Sequence, residues 1–68
     1  MNITEELARL DQAIELCRLH IAANELALTR RMGTPDEAET QHSLEVHRDL
    51  LARQLKRRDE LTGVLRAE

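Results

Sequence analysis

The stretch Arg30-Arg31-Met32-Gly33-Thr34-Pro35-Asp36-Glu37 constrains this chain more than any other. It carries the signals that stop one helix and start a second. Arg30 and Arg31 supply positive charge where a helix C-terminus favours it, and Gly33 is free to take the left-handed backbone conformation that closes a helix. Thr34 is a suitable cap for the next helix, Pro35 suits its first position, and Glu37 is placed to complete a capping box. A connection this short folds the second helix back along the first, antiparallel. The expected fold is therefore all-α: a two-helix antiparallel hairpin with coiled-coil-like packing, pairing into a homodimeric four-helix bundle.

The rest of the chain fits that expectation. Sixty-eight residues make one small domain, with helix 1 over about residues 3–32, the turn at 33–34 and helix 2 over about 35–66. The sequence contains no Phe, Tyr or Trp. Leu, Ile, Val, Ala and Met must build any core, a set that suits helix packing better than a β-sheet. Asn2 is placed to cap helix 1, and Glu5 and Glu6 suit its positive end. Each helix should be roughly 45 Å long at the usual rise per residue.

Helix 1 carries one apolar stripe with alternating four- and three-residue spacing: Ile3, Leu7, Leu10, Ile14, Cys17, Ile21, Asn24 and Leu28. This stripe should face helix 2, which answers with Leu44, Leu51, Leu55, Leu61 and Leu65, while His47, Gln54 and Arg58 fall inside the same arc. Asn24 within the stripe reads as a structural residue, fixing register or bonding across to Ser43 or Thr40.

A second apolar face is the more telling feature. Leu16, Leu19, Ala23 and Leu26 lie roughly 120–200° around helix 1 from the first stripe. Val46, Leu50 and Val64 widen the apolar arc of helix 2 in the same way. One neighbouring helix cannot cover both sides. Ordering a chain costs on the order of 1.5 kcal/mol per residue, so two helices alone bury little apolar surface against that cost. Association is the expected remedy, by homodimerisation or on a larger protein. Those seven residues are thus the candidate partner or dimer interface.

Few residues suggest chemistry. Antiparallel pairing sets residues whose numbers add to about 67 side by side, which brings His20 level with His47 and Cys17 one turn away. A C-x-x-H pair plus a histidine from the neighbouring helix is a three-ligand zinc pattern, with Glu25 or His42 the remaining candidates for a fourth. The competing reading makes Cys17 a small core hydrophobe with the two histidines hydrogen-bonded at the seam edge, and it is the reading adopted: no metal and no cofactor are expected. His42 stands five residues from His47, off its helical face, and reads as solvated. No pair of carboxylates shares a cleft, no glycine-rich loop is present, and two helices have no concavity to enclose a substrate. No catalytic residues are assigned and an enzyme is not expected.

Arg53, Lys56, Arg57 and Arg58 form the one basic patch. It has no aromatic residue for base stacking. Asp49, Asp59 and Glu60 interleave with it, and Asp49–Arg53 and Lys56–Glu60 are favourable i,i+4 pairs. The formal net charge of −3 also argues against nucleic acid as a partner. No apolar run approaches the roughly 20 residues of a membrane span. The opening residues Asn2-Ile3-Thr4-Glu5-Glu6 do not resemble a secretion signal, and a single cysteine allows no internal disulfide. A cytoplasmic location is the expectation.

The leading functional expectation is a small non-enzymatic interaction module that binds and modulates a larger protein, as adaptor or inhibitor, through apolar helical surface. In outline the whole chain is similar to the small co-chaperones of type III secretion needle subunits, on its length, its hairpin form and its Arg30–Gly33 turn. That likeness implies a helical hetero-partner. The chain is also similar in outline to the Rop class of hairpin dimers, through the texture of His47–Lys56, which implies a homodimer binding paired RNA loops. A phage-encoded inhibitor of a host protein is a further reading, resting on size alone.

Overall fold

A computed structural model describes residues 2–67 of the chain. It consists of two long helices, α1 (Ile3–Arg31) and α2 (Glu37–Ala67), packed antiparallel along their length in a body of 53 × 16 × 15 Å. Asn2 caps α1 as expected, its Oδ1 accepting a hydrogen bond from the Glu5 amide at 2.8 Å.

The connection is longer than the sequence signals suggest. It spans residues 32–36 and consists of two successive turns. In the first, the Thr34 amide donates to the Arg31 carbonyl at 2.9 Å; Met32 is extended at φ −58°, ψ 129°, and Gly33 has a positive φ of 80°. These are the marks of a type II turn, which requires the left-handed conformation at its third residue. In the second, the Glu37 amide donates to the Thr34 carbonyl at 3.2 Å, with Pro35 at the position where its fixed φ is favoured.

Thr34 therefore does not cap α2. Its hydroxyl turns back and donates to the Arg31 carbonyl, finishing α1. The first helical bond of α2 runs from the Thr40 amide to the Asp36 carbonyl at 3.0 Å, which puts the cap at Asp36 and starts α2 at Glu37, not Pro35. Glu37 does reach back across the turn, but to the Gly33 amide at 3.3 Å.

The core is one layer thick. Ile14 and Cys17 on α1 and Thr40, Leu44 and Leu61 on α2 are buried. Every member of the α1 stripe from Ile3 to Leu28 is buried or half-buried. On α2 the inward line follows the same four–three alternation through Thr40, Leu44, His47, Leu51, Gln54 and Leu61. Leu55, assigned to that stripe by its side chain, lies outside it and is exposed, as is Leu65 near the end of α2. The spacing of the helix wins over the preference of one leucine, and His47 and Gln54 take the inward positions.

Those polar seam residues are mostly satisfied. The Cys17 thiol donates to the His47 carbonyl at 3.1 Å, Asn24 Nδ2 donates to Ser43 Oγ at 3.1 Å, and Arg31 Nη1 donates to Thr40 Oγ1 at 2.9 Å. The bond from Asn24 to Ser43 is the cross-helix contact its position in the stripe suggested. Arg31 does more than balance a helix dipole, since it also ties the base of α1 to the first turn of α2.

Candidate interaction surface

The two sides of the seam differ in chemistry. On one side, heptad positions place Asp11, Glu25 and Arg48, and ion pairs cross between the helices there: Arg48 to Glu25 at 3.4 Å and Arg58 to Asp11 at 2.7 Å. On the other side the flanking positions are Ala13 and His20 on α1 and Ser43, Leu50 and Val64 on α2. Ala13, Leu16, His20, Leu50 and Gln54 line a shallow groove along this second flank, floored by Cys17 and His47. The groove continues past Ala23, Asn24 and Ser43 towards the turn. At the open end Arg57 closes it with a 3.1 Å ion pair to Glu6. The bond and charge of Glu6 raise the Arg57 pKa above its ordinary value.

The seven residues of the second apolar face are all exposed. Leu16, Leu19, Leu26, Val46, Leu50 and Val64 each keep between 43% and 58% of their surface open to solvent. They do not form one patch. Leu16, Ala23 and Leu50 line the groove, and Val46 and Val64 lie along the same flank by their spacing from the seam, whereas Leu19 and Leu26 lie farther round α1, on the side facing away from α2. Among the described residues, closing the hairpin leaves as many large apolar side chains exposed as it buries or half-buries, beyond the scattered singles normal on a protein surface.

Cys17, His20 and His47 do come together, but as packing partners. The His20 and His47 rings meet edge to face with centroids 5.1 Å apart. His47 Nδ1–H donates to the Ser43 carbonyl at 2.7 Å. The Cys17 thiol is engaged with a carbonyl. Among the described residues, no three His, Cys, Asp or Glu side chains are grouped so that they could hold a metal ion.

The basic patch is interleaved with carboxylates as its spacing suggested. Arg53 pairs with Asp49 at 2.9 Å, Arg58 reaches across to Asp11, and Arg57 bridges Glu6 on α1 and Glu60 on its own helix. Glu60 is therefore held by Arg57, where an i,i+4 pairing with Lys56 was expected. Sequence reasoning named Arg31 only for the helix dipole, Thr40 only as a bonding partner for Asn24, and Gln54 only as a polar interruption of the α2 arc, and placed none of them as a structural member of the seam. Thr40 and Gln54 continue the four–three alternation of the α2 seam, the signal that would have found them.

No family model, curated protein or solved structure matches this chain. Among the described residues, no helix is long and apolar enough to cross a membrane.

Proposed function

We propose that this protein is a small non-enzymatic interaction module that self-associates and, through its remaining apolar helical surface, binds and modulates a larger protein. One observation carries the reading: among the described residues nine large apolar side chains stay exposed, four of them (Leu16, Val46, Leu50 and Val64) along the grooved flank and two (Leu19 and Leu26) on the outer side of α1. Apolar area of that extent is the usual mark of protein-protein contact. Helix-in-groove docking, with Leu19 and Leu26 one heptad apart as anchors, is the mode that this spacing suits.

The neutralisation of Arg53, Arg57 and Arg58 by neighbouring carboxylates favours a protein partner over a nucleic acid. A photoreactive amino acid at Leu26, in the protein expressed in its own cells, tests the reading. A discrete adduct heavier than two copies of the chain is expected, and it should disappear with Leu19→Asp. Adducts of the chain with itself alone would overturn the assignment of this face to a larger partner.

A further inference from the structure

The grooved flank has the charge pattern of a surface built for a second copy of this chain in one orientation. One line of exposed side chains, seven residues apart, runs along each helix at the outer border of that flank: Arg9, Leu16, Ala23 and Arg30 on α1, and Glu39, Val46, Arg53 and Glu60 on α2. On α1 basic residues bracket an apolar middle. On α2 acidic residues bracket it.

Two copies can pack flank to flank about a two-fold axis in two ways. If the axis runs across the hairpin, the turns lie at opposite ends and each helix covers its own counterpart. Centred on the apolar middle, that form sets Arg9 against Arg30 of the other copy and Glu39 against Glu60, like charge on like. If the axis runs along the hairpin, the turns lie together and α1 covers α2 of the other copy. Arg30 then meets Glu39, Ala23 meets Val46 and Arg9 meets Glu60, opposite charges at both ends with an apolar centre. Arg53 departs from the pattern at the centre, where Asp49 holds its guanidinium and its methylene stem is long enough to cover Leu16. At the open end Glu60 is already paired with Arg57 at 3.5 Å and Arg9 has a partner within its own chain, so the Arg30–Glu39 contacts carry the orientation.

The area agrees. The chain exposes 5216 Å², about 800 Å² more than the roughly 4,400 Å² usual for a compact monomer of this mass. That excess reflects the elongated 53 × 16 × 15 Å body, whose long flanks offer surface that a second copy can cover.

We infer that the grooved flank is a homodimer interface in which two hairpins pair with their turns at the same end, α1 on α2, fixed by Arg30 and Glu39 of opposite copies. This arrangement rests on reading the apolar surface as an association surface, and it leaves Leu19 and Leu26 outside for another protein.

The test uses two charge-reversed variants of the full chain, Arg30→Glu and Glu39→Arg, and native mass spectrometry with equilibrium sedimentation. Each variant alone puts like charges at both loop-end contacts, so its self-association should weaken by about tenfold, within the range for two exposed ion pairs made repulsive. Mixing the two restores both contacts. The mixed dimer should then dominate both self-dimers, with an affinity within about threefold of wild type. An intramolecular Arg30–Glu39 effect would not favour mixing, so a statistical mixture overturns the inference. So does tighter self-association of Arg30→Glu, which is the outcome for turns at opposite ends, because Arg9 would then meet the introduced carboxylate of the other copy. A wild-type chain of single mass at all concentrations overturns it as well, while leaving the Leu26 crosslinking result to judge the larger partner independently.

Discussion

At the scale of single residues, Gln54 is the most informative side chain. It occupies an inward position of α2, and its Oε1 is buried without a hydrogen-bond partner among the described residues. A buried acceptor left unsatisfied costs about 1–3 kcal/mol. Gln54→Leu removes that cost and adds apolar area to the seam, so the melting temperature should rise; at about 1 kcal/mol the shift for a domain of this size is roughly 4–8 °C. Thermal unfolding followed by circular dichroism measures it. An unchanged or lowered midpoint would mean that the amide finds a partner in solution. Cys17 teaches the opposite lesson. It fills a tight position as a small hydrophobe, and its thiol is spent on the His47 carbonyl.

At the scale of elements, the two glycines make a matched pair. Neither has an atom within 4 Å of the place a Cβ would occupy, so substitution at either acts through the backbone alone. Gly33 sits at φ 80° in the first turn, where an L-residue is strained. Gly33→Ala should lower stability by about 1–2 kcal/mol. Gly63 lies in regular helix near the end of α2, and Gly63→Ala should raise stability by about 0.5–1 kcal/mol. Urea denaturation of the two variants should thus move in opposite directions; movement in the same direction would refute the backbone explanation. The elements also show what was legible in the sequence. The α1 stripe is apolar at nearly every inward position, so periodicity alone located it. On α2 the inward line passes through Thr40, His47 and Gln54, and its leucines do not all lie on it, so hydrophobicity pointed to Leu55 while spacing pointed elsewhere. The turn misled for a related reason. Thr34, Pro35 and Glu37 are good capping residues, but capping chemistry at neighbouring positions is nearly interchangeable, and the type II turn at Gly33 displaced the start of α2 by two residues. The candidate surface was legible as an excess of apolar residues. Its division into a groove beside the seam and an outer line on α1 required knowing which polar residues the seam had absorbed.

At the scale of the whole molecule, the charged side of the seam and the grooved side play different parts. The ion pairs on the charged side are more than half exposed and should contribute little to stability. The grooved side has apolar area that only association can bury. Stability should therefore depend on protein concentration, since mass action couples unfolding to dissociation. A melting midpoint that rises over a hundredfold increase in concentration is the expected result. An invariant midpoint would mean that the hairpin folds without help.

The thinness of the body, 16 × 15 Å in cross-section, has a consequence for how such a chain changes over generations. Among the described residues only Ile14, Cys17, Thr40, Leu44 and Leu61 are enclosed. Nearly every other position touches solvent and can accept substitution at small cost. Two descendants of one ancestor could therefore differ at most positions and keep the same hairpin. What they would share is an interval pattern: three residues from Ile14 to Cys17, four from Thr40 to Leu44, and the distance across the turn that sets Cys17 beside His47 and Asn24 beside Ser43.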